Sequence, residues 1–242
     1  SILKFAVPMA LASLISSINT EADKIIVGGF VDTDTLAIYT NSAKELPVFI
    51  FSTSISSVVM PFVVKKVANK DFINAVKLWR KSMILSYYLI CFSVVVLFVF
   101  APQVISILYS EKYLPGVNVF RIYSCVLLFR ITYYGMILNA LGKTKMILKA
   151  SIVTMLSNLI LDLILYKVMG LLGPAFATLI SVGVMNLYQL HLTKNITGVT
   201  FSDIYPIKDM LRITTINICF GGIFYIIQQL LFRFTSANEL VL

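Results

Sequence analysis

Seven charged side chains lie inside stretches of the sequence that are otherwise apolar. They are Glu21, Asp23, Lys24, Lys44, Glu45, Arg130 and Asp162. A charge inside a membrane-spanning helix costs roughly 2.5–3.5 kcal/mol on insertion scales, so such residues usually face a cavity or a partner. Four of the seven are acidic and three are basic. The set can therefore line a hydrated cavity, or its members can neutralise one another in ion pairs between packed helices.

Stripes of neutral polar residues favour the cavity over simple packing pairs. On the first apolar stretch, Ser13, Ser17 and Thr20 share one face of a helix, while Leu11, Leu14 and Ile18 share the opposite face. Two further stretches repeat this pattern with helical spacing: Asn41, Glu45, Ser52 and Ser56, and then Ser151, Thr154, Asn158 and Asp162. Because these stripes extend beyond the charges, the sequence predicts helices that line water.

Residues for metal or nucleophilic chemistry are scarce. His191 is the only histidine, and Cys91, Cys125 and Cys219 lie far apart without a CxxC spacing. The sequence has no HExxH, GxSxG or P-loop motif, so we expect no metal site, no cofactor and no enzymatic activity. The pair Asp32 and Asp34 resembles a catalytic acid pair, but a short solvated turn explains it more simply.

The elements that must position these residues are membrane-spanning helices. Of the 242 residues, 59% are hydrophobic and 13% are charged, and the mean hydropathy is +0.91. About 20 apolar residues span a bilayer as a helix, and we predict seven spans in one all-α, polytopic membrane domain, residues 1–242. The spans are 5–30, 35–63, 83–102, 117–141, 147–168, 171–190 and 213–232, and the second, which is long and carries Pro47, is expected to be kinked or tilted.

The basic residues indicate an orientation. With these spans, 13 of the 20 Lys and Arg residues fall on one side of the membrane, four fall on the other, and three lie inside spans. Arg233 is one of the four. Basic loops stay in the cytoplasm, so the N-terminus and the segment 65–81 are predicted to be cytoplasmic. The net charge of +9 is then mainly a topology signal and does not indicate nucleic-acid binding.

Five segments, in this order, resemble a known transporter family. They read AVPMALASLISSINTEADKIIVGGF from residue 6, LAIYTNSAKELPVFIFSTSISSVVMP from residue 36, LYSEKYLPGVNVFRIY from residue 108, NALGKTKMIL from residue 139 and MGLLGPAFAT from residue 169. The chain resembles the polysaccharide-biosynthesis flippases, of the lipid-linked oligosaccharide or O-antigen type. These belong to the MATE-like multidrug/oligosaccharidyl-lipid/polysaccharide exporter superfamily.

The resemblance implies one lobe of a two-lobed MATE-like transporter, beginning at the family's seventh helix. The chain is then expected to be the C-terminal half of a longer flippase, which moves undecaprenyl-pyrophosphate-linked oligosaccharide across the bacterial inner membrane by alternating access. Its implied partners are that lipid-linked oligosaccharide, membrane lipid, the N-terminal lobe and the polysaccharide polymerase machinery.

The resemblance also implies roles for the intramembrane charges. The basic candidates for the carrier-lipid pyrophosphate are Arg130, Lys44 and Lys24, with Arg121 at the outer mouth. The acidic candidates for ion coupling are Asp23, Glu45 and Asp162.

Two other functions stay open on the sequence alone. The same fold includes cation-coupled multidrug exporters, although basic residues in the cavity would repel a cationic drug. An integral-membrane glycosyltransferase or polymerase of the same pathway would need a catalytic loop, and the predicted external loops are very short.

The orientation can be tested with a single cysteine. We expect Lys70→Cys, in a background without the three native cysteines, to resist a membrane-impermeant thiol reagent added outside intact cells. The same reagent should label the position after permeabilisation, because the 65–81 segment is predicted to be cytoplasmic. Labelling from outside would overturn the predicted topology.

Overall fold

Helices make up nearly all of the described chain. The computed structural model describes the backbone of residues 2–239 and the side chains of residues 2–230, and this part contains no β-strand. The helices are α1 (Ile2–Gly28), α2 (Thr33–Ser42), α3 (Ile50–Ala68), α4 (Phe72–Val99), α5 (Ala101–Leu108), α6 (Val117–Val126), α7 (Met136–Ala140), α8 (Thr144–Met169), α9 (Leu172–Thr197), α10 (Phe201–Ile204) and α11 (Ile207–Glu239). The predicted all-helical fold is confirmed.

Within the described residues, six helical segments are long and apolar enough to cross a membrane. They are Ile2–Gly28, Thr33–Ala68, Phe72–Val99, Thr144–Met169, Leu172–Thr197 and Ile207–Leu230. They correspond to six of the seven predicted spans. The remaining span, 117–141, differs from the prediction because it is not one continuous helix.

The segment predicted as span 117–141 is interrupted near its middle. Helix α6 tightens into a 3₁₀ turn at Leu127–Phe129, residues 130–135 are non-helical, and α7 then resumes for one turn. The segment runs beside α9: Tyr123 lies near Thr178, Phe129 contacts Asn186, and Leu138 packs near Leu192. Its contacts on α9 move from Thr178 to Leu192 as the segment proceeds. The interrupted segment therefore extends along α9 through much of the membrane thickness that a spanning helix would cross.

The second span is interrupted as well, at the predicted proline. Leu46, which precedes Pro47, has the extended backbone (φ −66°, ψ 149°) that a following proline favours. Helix α2 therefore ends at Ser42, and a 3₁₀ turn over Pro47–Phe49 leads into α3. Lys44 and Glu45 lie in the non-helical residues between them.

The largest hydrophobic core surrounds α4. Trp79, Met83 and Ile90 on this helix have no exposed surface, and they pack with Leu127, Ile131 and Met136 from the interrupted segment. The fully buried Trp79 donates from Nε1 to Thr132 Oγ1 at 2.9 Å. The core thus holds the non-helical residues from one side.

Helices α8 and α9 form a tight hairpin at the end opposite to Lys65. Gly170 ends α8 with a positive φ of 58°, which glycine adopts without strain. Gly173 then packs so closely that a Cβ atom there would lie 2.2 Å from the carbonyl oxygen of Leu165. Only glycine permits this approach of the two helices.

Two aspartates cap helices outside the spanning segments. Asp32 accepts from the backbone N–H of Thr35 at the start of α2, and Asp71 accepts from that of Asn74 at the start of α4. The hydrogen bonds from the Thr35 and Asn74 side chains lower the pKa of Asp32 and Asp71 respectively. Asp32 is thus the N-cap of α2, and Asp34, in the first turn of that helix, pairs with Lys112 at 3.0 Å.

Candidate functional site

An ion pair joins the two helix interruptions. Arg130 Nη2 lies 2.8 Å from Glu45 Oε1. The Glu45 side chain is 11% exposed, while the Arg130 side chain is 33% exposed. Glu45 Oε1 and Arg130 Nε have no hydrogen-bond partner of good geometry among the described residues. The guanidinium is therefore neutralised at Nη2, while its Nε–H is buried and has no partner among the described residues.

Neutral side chains from other helices satisfy the backbone of the interrupted segment. Ser52 Oγ donates to the carbonyl of Arg130 at 2.6 Å, and Asn186 Nδ2 donates to the carbonyl of Phe129 at 2.6 Å. The backbone N–H of Tyr133 donates to Ser56 Oγ at 3.4 Å. An unpaired backbone group costs several kcal/mol in a bilayer, so these contacts make the interruption stable. These contacts also hold the backbone of Arg130 in place, and so determine the position from which its side chain extends.

A cavity of about 510 Å³ opens beside this segment. Side chains from α1, α3, the interrupted segment, α8 and α9 line it, and most of the polar ones are hydroxyls and amides. Arg130 is the one charged residue in this lining among the residues that the structure describes. Ser13, Ser16, Ser17, Thr20, Ser151 and Thr154, all from the predicted polar stripes, belong to it.

The other three predicted basic residues lie outside this lining. Lys24 pairs with Glu21 on its own helix at 2.7 Å. Lys44 is exposed in the interruption after α2. Arg121 Nε donates to the carbonyl of Phe98 at 3.1 Å, and its guanidinium carbon lies 5.4 Å from the centre of the Phe98 ring. Arg121 thus caps the end of α4.

The two buried aspartates form a second polar cluster, between α1, α2, α6 and α8. Tyr39 donates to Asp23 Oδ2 at 2.7 Å, and Tyr123 donates to the same oxygen. On α8, which packs against the Asp23-bearing helix α1, Asn158 Nδ2 donates to Asp162 Oδ2 at 3.1 Å. The sequence predicted that Lys24, Lys44, Arg130, Asp23, Glu45 and Asp162 all face one cavity. Of these six, only Arg130 belongs to the lining of the cavity of about 510 Å³ among the described residues.

Several oxygens of this second cluster have no partner. Asp23 is 1% exposed and Asp162 has no exposed surface, yet the Oδ1 atoms of Asp23, Asn158 and Asp162 accept no hydrogen bond from the described residues. Carboxylate and amide oxygens are hard ligands, which suit a proton or a small hard cation. Among the described residues, no group of three or more His, Cys, Asp or Glu side chains is placed to hold a metal ion.

Comparison with known proteins identifies the family. A sequence model described as "Lipid II flippase MurJ" matches residues 1–239, nearly the whole chain.

The chain belongs to the lipid II flippase MurJ family. This family consists of flippases, which are transporters and not enzymes. Because the described residues hold six helical segments long and apolar enough to cross a membrane, the MurJ-family chain is a multi-pass membrane protein.

One similar protein is the capsular polysaccharide biosynthesis protein CapF of Staphylococcus aureus. It is 28% identical over 178 residues, which cover 72% of this MurJ-family chain and 45% of CapF. A structure of "Lipid II flippase MurJ, inward closed conformation" has a TM-score of 0.74 at 24% identity, over 89% of this chain and 46% of that one. The chain therefore spans about half the length of the relatives it matches.

The fold extends beyond the MurJ family. An outward-facing multidrug resistance MATE family transporter of the MOP superfamily has a TM-score of 0.67 at 19% identity, over 87% of this chain and 50% of that one. At this identity the similarity supports the MATE-like fold alone.

The sequence did not reveal the neutral residues that hold these clusters of the MurJ-family chain. Tyr39 and Tyr123 lie in apolar stretches and resemble ordinary core aromatics, although both donate to Asp23. Trp79 has no polar stripe to mark it, whereas Asn186 shares a helical face with Gln189 and Thr193, a spacing that could have marked it. A buried aspartate implies hydrogen-bond donors nearby, but the sequence cannot say which residues supply them.

The contact of Asn186 with the interrupted segment can be tested by stability. We expect Asn186→Leu to lower the free energy of unfolding by about 1–3 kcal/mol, because the Phe129 carbonyl would lose its partner in a part-buried position. Denaturation in detergent would measure the change. Asn195→Leu on the same helix is the control, since Asn195 contacts only the exposed side of His191. Equal effects of the two changes would contradict this role.

Proposed function

We propose that this chain is the C-terminal lobe of a flippase in the bacterial inner membrane. The flippase would carry undecaprenyl-pyrophosphate-linked oligosaccharide to the outer leaflet for surface polysaccharide synthesis. Membership of the MurJ family and similarity to CapF support a lipid-linked sugar substrate. The second lobe is expected to be an N-terminal one, since the chain spans about half of its relatives and alternating access needs two lobes around a shared site. The N-terminus is proposed to be cytoplasmic.

The observation that carries the proposal is the state of Arg130. It is the charged residue of the described cavity lining, its side chain is one-third exposed, and its one ion-pair partner among the described residues is Glu45, at Nη2. Guanidinium binds phosphate strongly. Because Nε is buried, a diphosphate would have to displace Glu45 from Nη2 in order to bind. Rebinding of Glu45 would then release the diphosphate, as a transporter requires.

The remaining basic residues would assist at other stages of transport. Lys44 is exposed next to Glu45 in the chain, so it can attract the diphosphate before it reaches Arg130. Lys24, whose side chain is 15% exposed, would have to leave Glu21, whose side chain is 60% exposed, in order to contact the substrate. Arg121 would act at the outer mouth only after leaving the Phe98 carbonyl.

The acidic residues would couple transport to a cation. Asp23 on α1 and Asp162 on α8 offer unpaired oxygens between two helices, so a proton or Na⁺ bound there would stabilise that arrangement of the helices. Glu45 would serve mainly as the exchangeable partner of Arg130. We therefore assign cation coupling chiefly to Asp23, Asp162 and the neighbouring Asn158.

Substitution of Arg130 tests the diphosphate site. In the two-lobed transporter, Arg130→Ala should abolish flipping of a fluorescent undecaprenyl-pyrophosphate-linked oligosaccharide in proteoliposomes, while Arg130→Lys should keep part of the rate. Lysine retains the charge but loses the two-pronged geometry. The exposed Arg212→Ala, on α11, serves as the control. Normal transport by a folded, inserted Arg130→Ala variant would reduce Arg130 to a packing residue.

The coupling role of the buried aspartates predicts a different defect. Asp162→Asn should leave the protein folded, since the amide is isosteric, but transport should no longer respond to an imposed Na⁺ or proton gradient. The exposed Asp34→Asn, which removes only a surface pair with Lys112, should respond like the unmodified protein. If Asp162→Asn responds normally to both gradients, the cluster is not the coupling site.

A further inference from the structure

Two layers of polar side chains face the interrupted segment, one helical turn apart. In the first layer, Ser52 on α3 and Asn186 on α9 donate to backbone carbonyl oxygens of the segment. The second layer lies one turn nearer the C-terminal ends of α3 and α9, roughly 5–6 Å along each helix axis. It consists of Ser56 on α3 and Gln189 on α9, and the residues of both layers line the cavity.

The two layers differ in how much of their hydrogen-bonding capacity the protein uses. The first layer holds the segment through the contacts described above. In the second, Ser56 Oγ accepts from the backbone N–H of Tyr133 at 3.4 Å, but its O–H donates to no described residue. The Gln189 side chain makes no hydrogen bond with any described residue, although its backbone carbonyl accepts from Thr193. The second layer therefore keeps hydrogen-bonding groups that the fold does not need.

The amide of Gln189 is enclosed without a partner. The residue is 2% exposed, and it belongs to the lining of the cavity. Buried polar side chains are nearly always hydrogen-bonded, because it is unfavourable to remove an amide from water without a partner. A molecule in the cavity can supply that partner. Since a carboxamide carries two N–H donors and a carbonyl acceptor, it suits a ligand group that both donates and accepts.

The neighbours of Gln189 on α9 show that a structural role would look different. Asn186, Gln189 and Thr193 share one face of the helix. Asn186 donates to the Phe129 carbonyl, and the buried Thr193 donates to a carbonyl of its own helix. Both of these side chains are thus used by the fold. Gln189, between them, is the member of the face whose side chain is left for another molecule among the described residues.

We propose that Gln189 is a specificity-determining residue that contacts the substrate. Its amide binds a hydroxyl or acetamido group of the sugar that is joined directly to the diphosphate. The inference rests on the proposed function, in which Arg130 holds the diphosphate. The second layer lies about one turn from the backbone of Arg130, so the first sugar is the part of the headgroup that can reach it. Ser56 contributes a second donor from α3.

Removal of the Gln189 amide should not lower stability. In the protein without substrate, Gln189→Leu replaces an unpaired amide with an apolar side chain, so we expect an unchanged or higher melting temperature. Asn186→Leu, one turn away, should lower the melting temperature, because it breaks the contact with Phe129. Thermal unfolding in detergent compares the two variants. An equal decrease in both would make Gln189 a structural residue and overturn the inference.

Substrate binding should be weakened by the same change. Calorimetric titration of the two-lobed transporter in nanodiscs would use three probes: a prenyl diphosphate, the same lipid carrying one glucose, and the same lipid carrying one N-acetylglucosamine. We expect Gln189→Leu to weaken binding of at least one glycosylated probe about 3- to 10-fold and to leave binding of the bare diphosphate unchanged. The probe that loses more affinity identifies the group that the amide contacts.

Gln103→Leu is the matched control. Gln103, on α5, also has a buried side-chain oxygen without a partner among the described residues, but it lies outside the described cavity lining. This variant should bind all three probes like the unmodified protein.

The probes separate failure of this inference from failure of the proposed function. If the bare diphosphate requires Arg130 but Gln189→Leu binds both glycosylated probes normally, the sugar contact is wrong and the diphosphate site stands. If Arg130→Ala binds the bare diphosphate normally, the diphosphate site is wrong, and the inference about the first sugar is overturned with it.

Discussion

The requirement that backbone groups be paired inside a membrane governs this structure. The segment predicted as span 117–141 gives up its helical hydrogen bonds at residues 130–135, and the bilayer offers no water to replace them. Side chains from α3 and α9 supply the missing partners, and Trp79 on α4 holds the neighbouring Thr132. The interruption is thus a product of tertiary packing. It places Arg130 where a regular helix would have turned the side chain elsewhere.

Helix α2 connects the two polar clusters. Tyr39, on this helix, donates to Asp23 in the aspartate cluster. The helix ends at Ser42, and Glu45, the partner of Arg130, follows three residues later. A movement of α2 that follows protonation or cation binding at Asp23 would therefore shift Glu45 as well. This is a short physical connection between the proposed cation site and the proposed diphosphate site, because residues 39–45 contribute a contact to each.

The sequence predicted the elements well where apolar length decides the structure. Six spans and the kink at Pro47 follow from hydropathy and from the rigid proline ring. The interruption at 130–135 could not be predicted, because no proline lies within it and its partners come from Ser52, Trp79 and Asn186, about 50 to 80 residues away in the chain. The residues near the interruption in the sequence do not indicate which distant residues will contact it.

The parts of the candidate site that depend on local helical spacing could be predicted, and the parts that depend on long-range packing could not. Helical spacing brings the hydroxyls of the cavity together and pairs Lys24 with Glu21, three residues apart, so both are local consequences of the helix. The separation of Arg130 and Glu45 from Asp23 and Asp162 depends on how whole helices pack. Charge balance alone could not decide which acid would neutralise which base.

The contact at Gly173 has a mechanical consequence. A side chain at position 173 would force α9 away from α8, because its Cβ atom would collide with the backbone of Leu165. Asp162 on α8 and Asn186 on α9 each make a contact in one of the two polar clusters. The spacing of the two helices at their shared end therefore helps to set where both side chains lie.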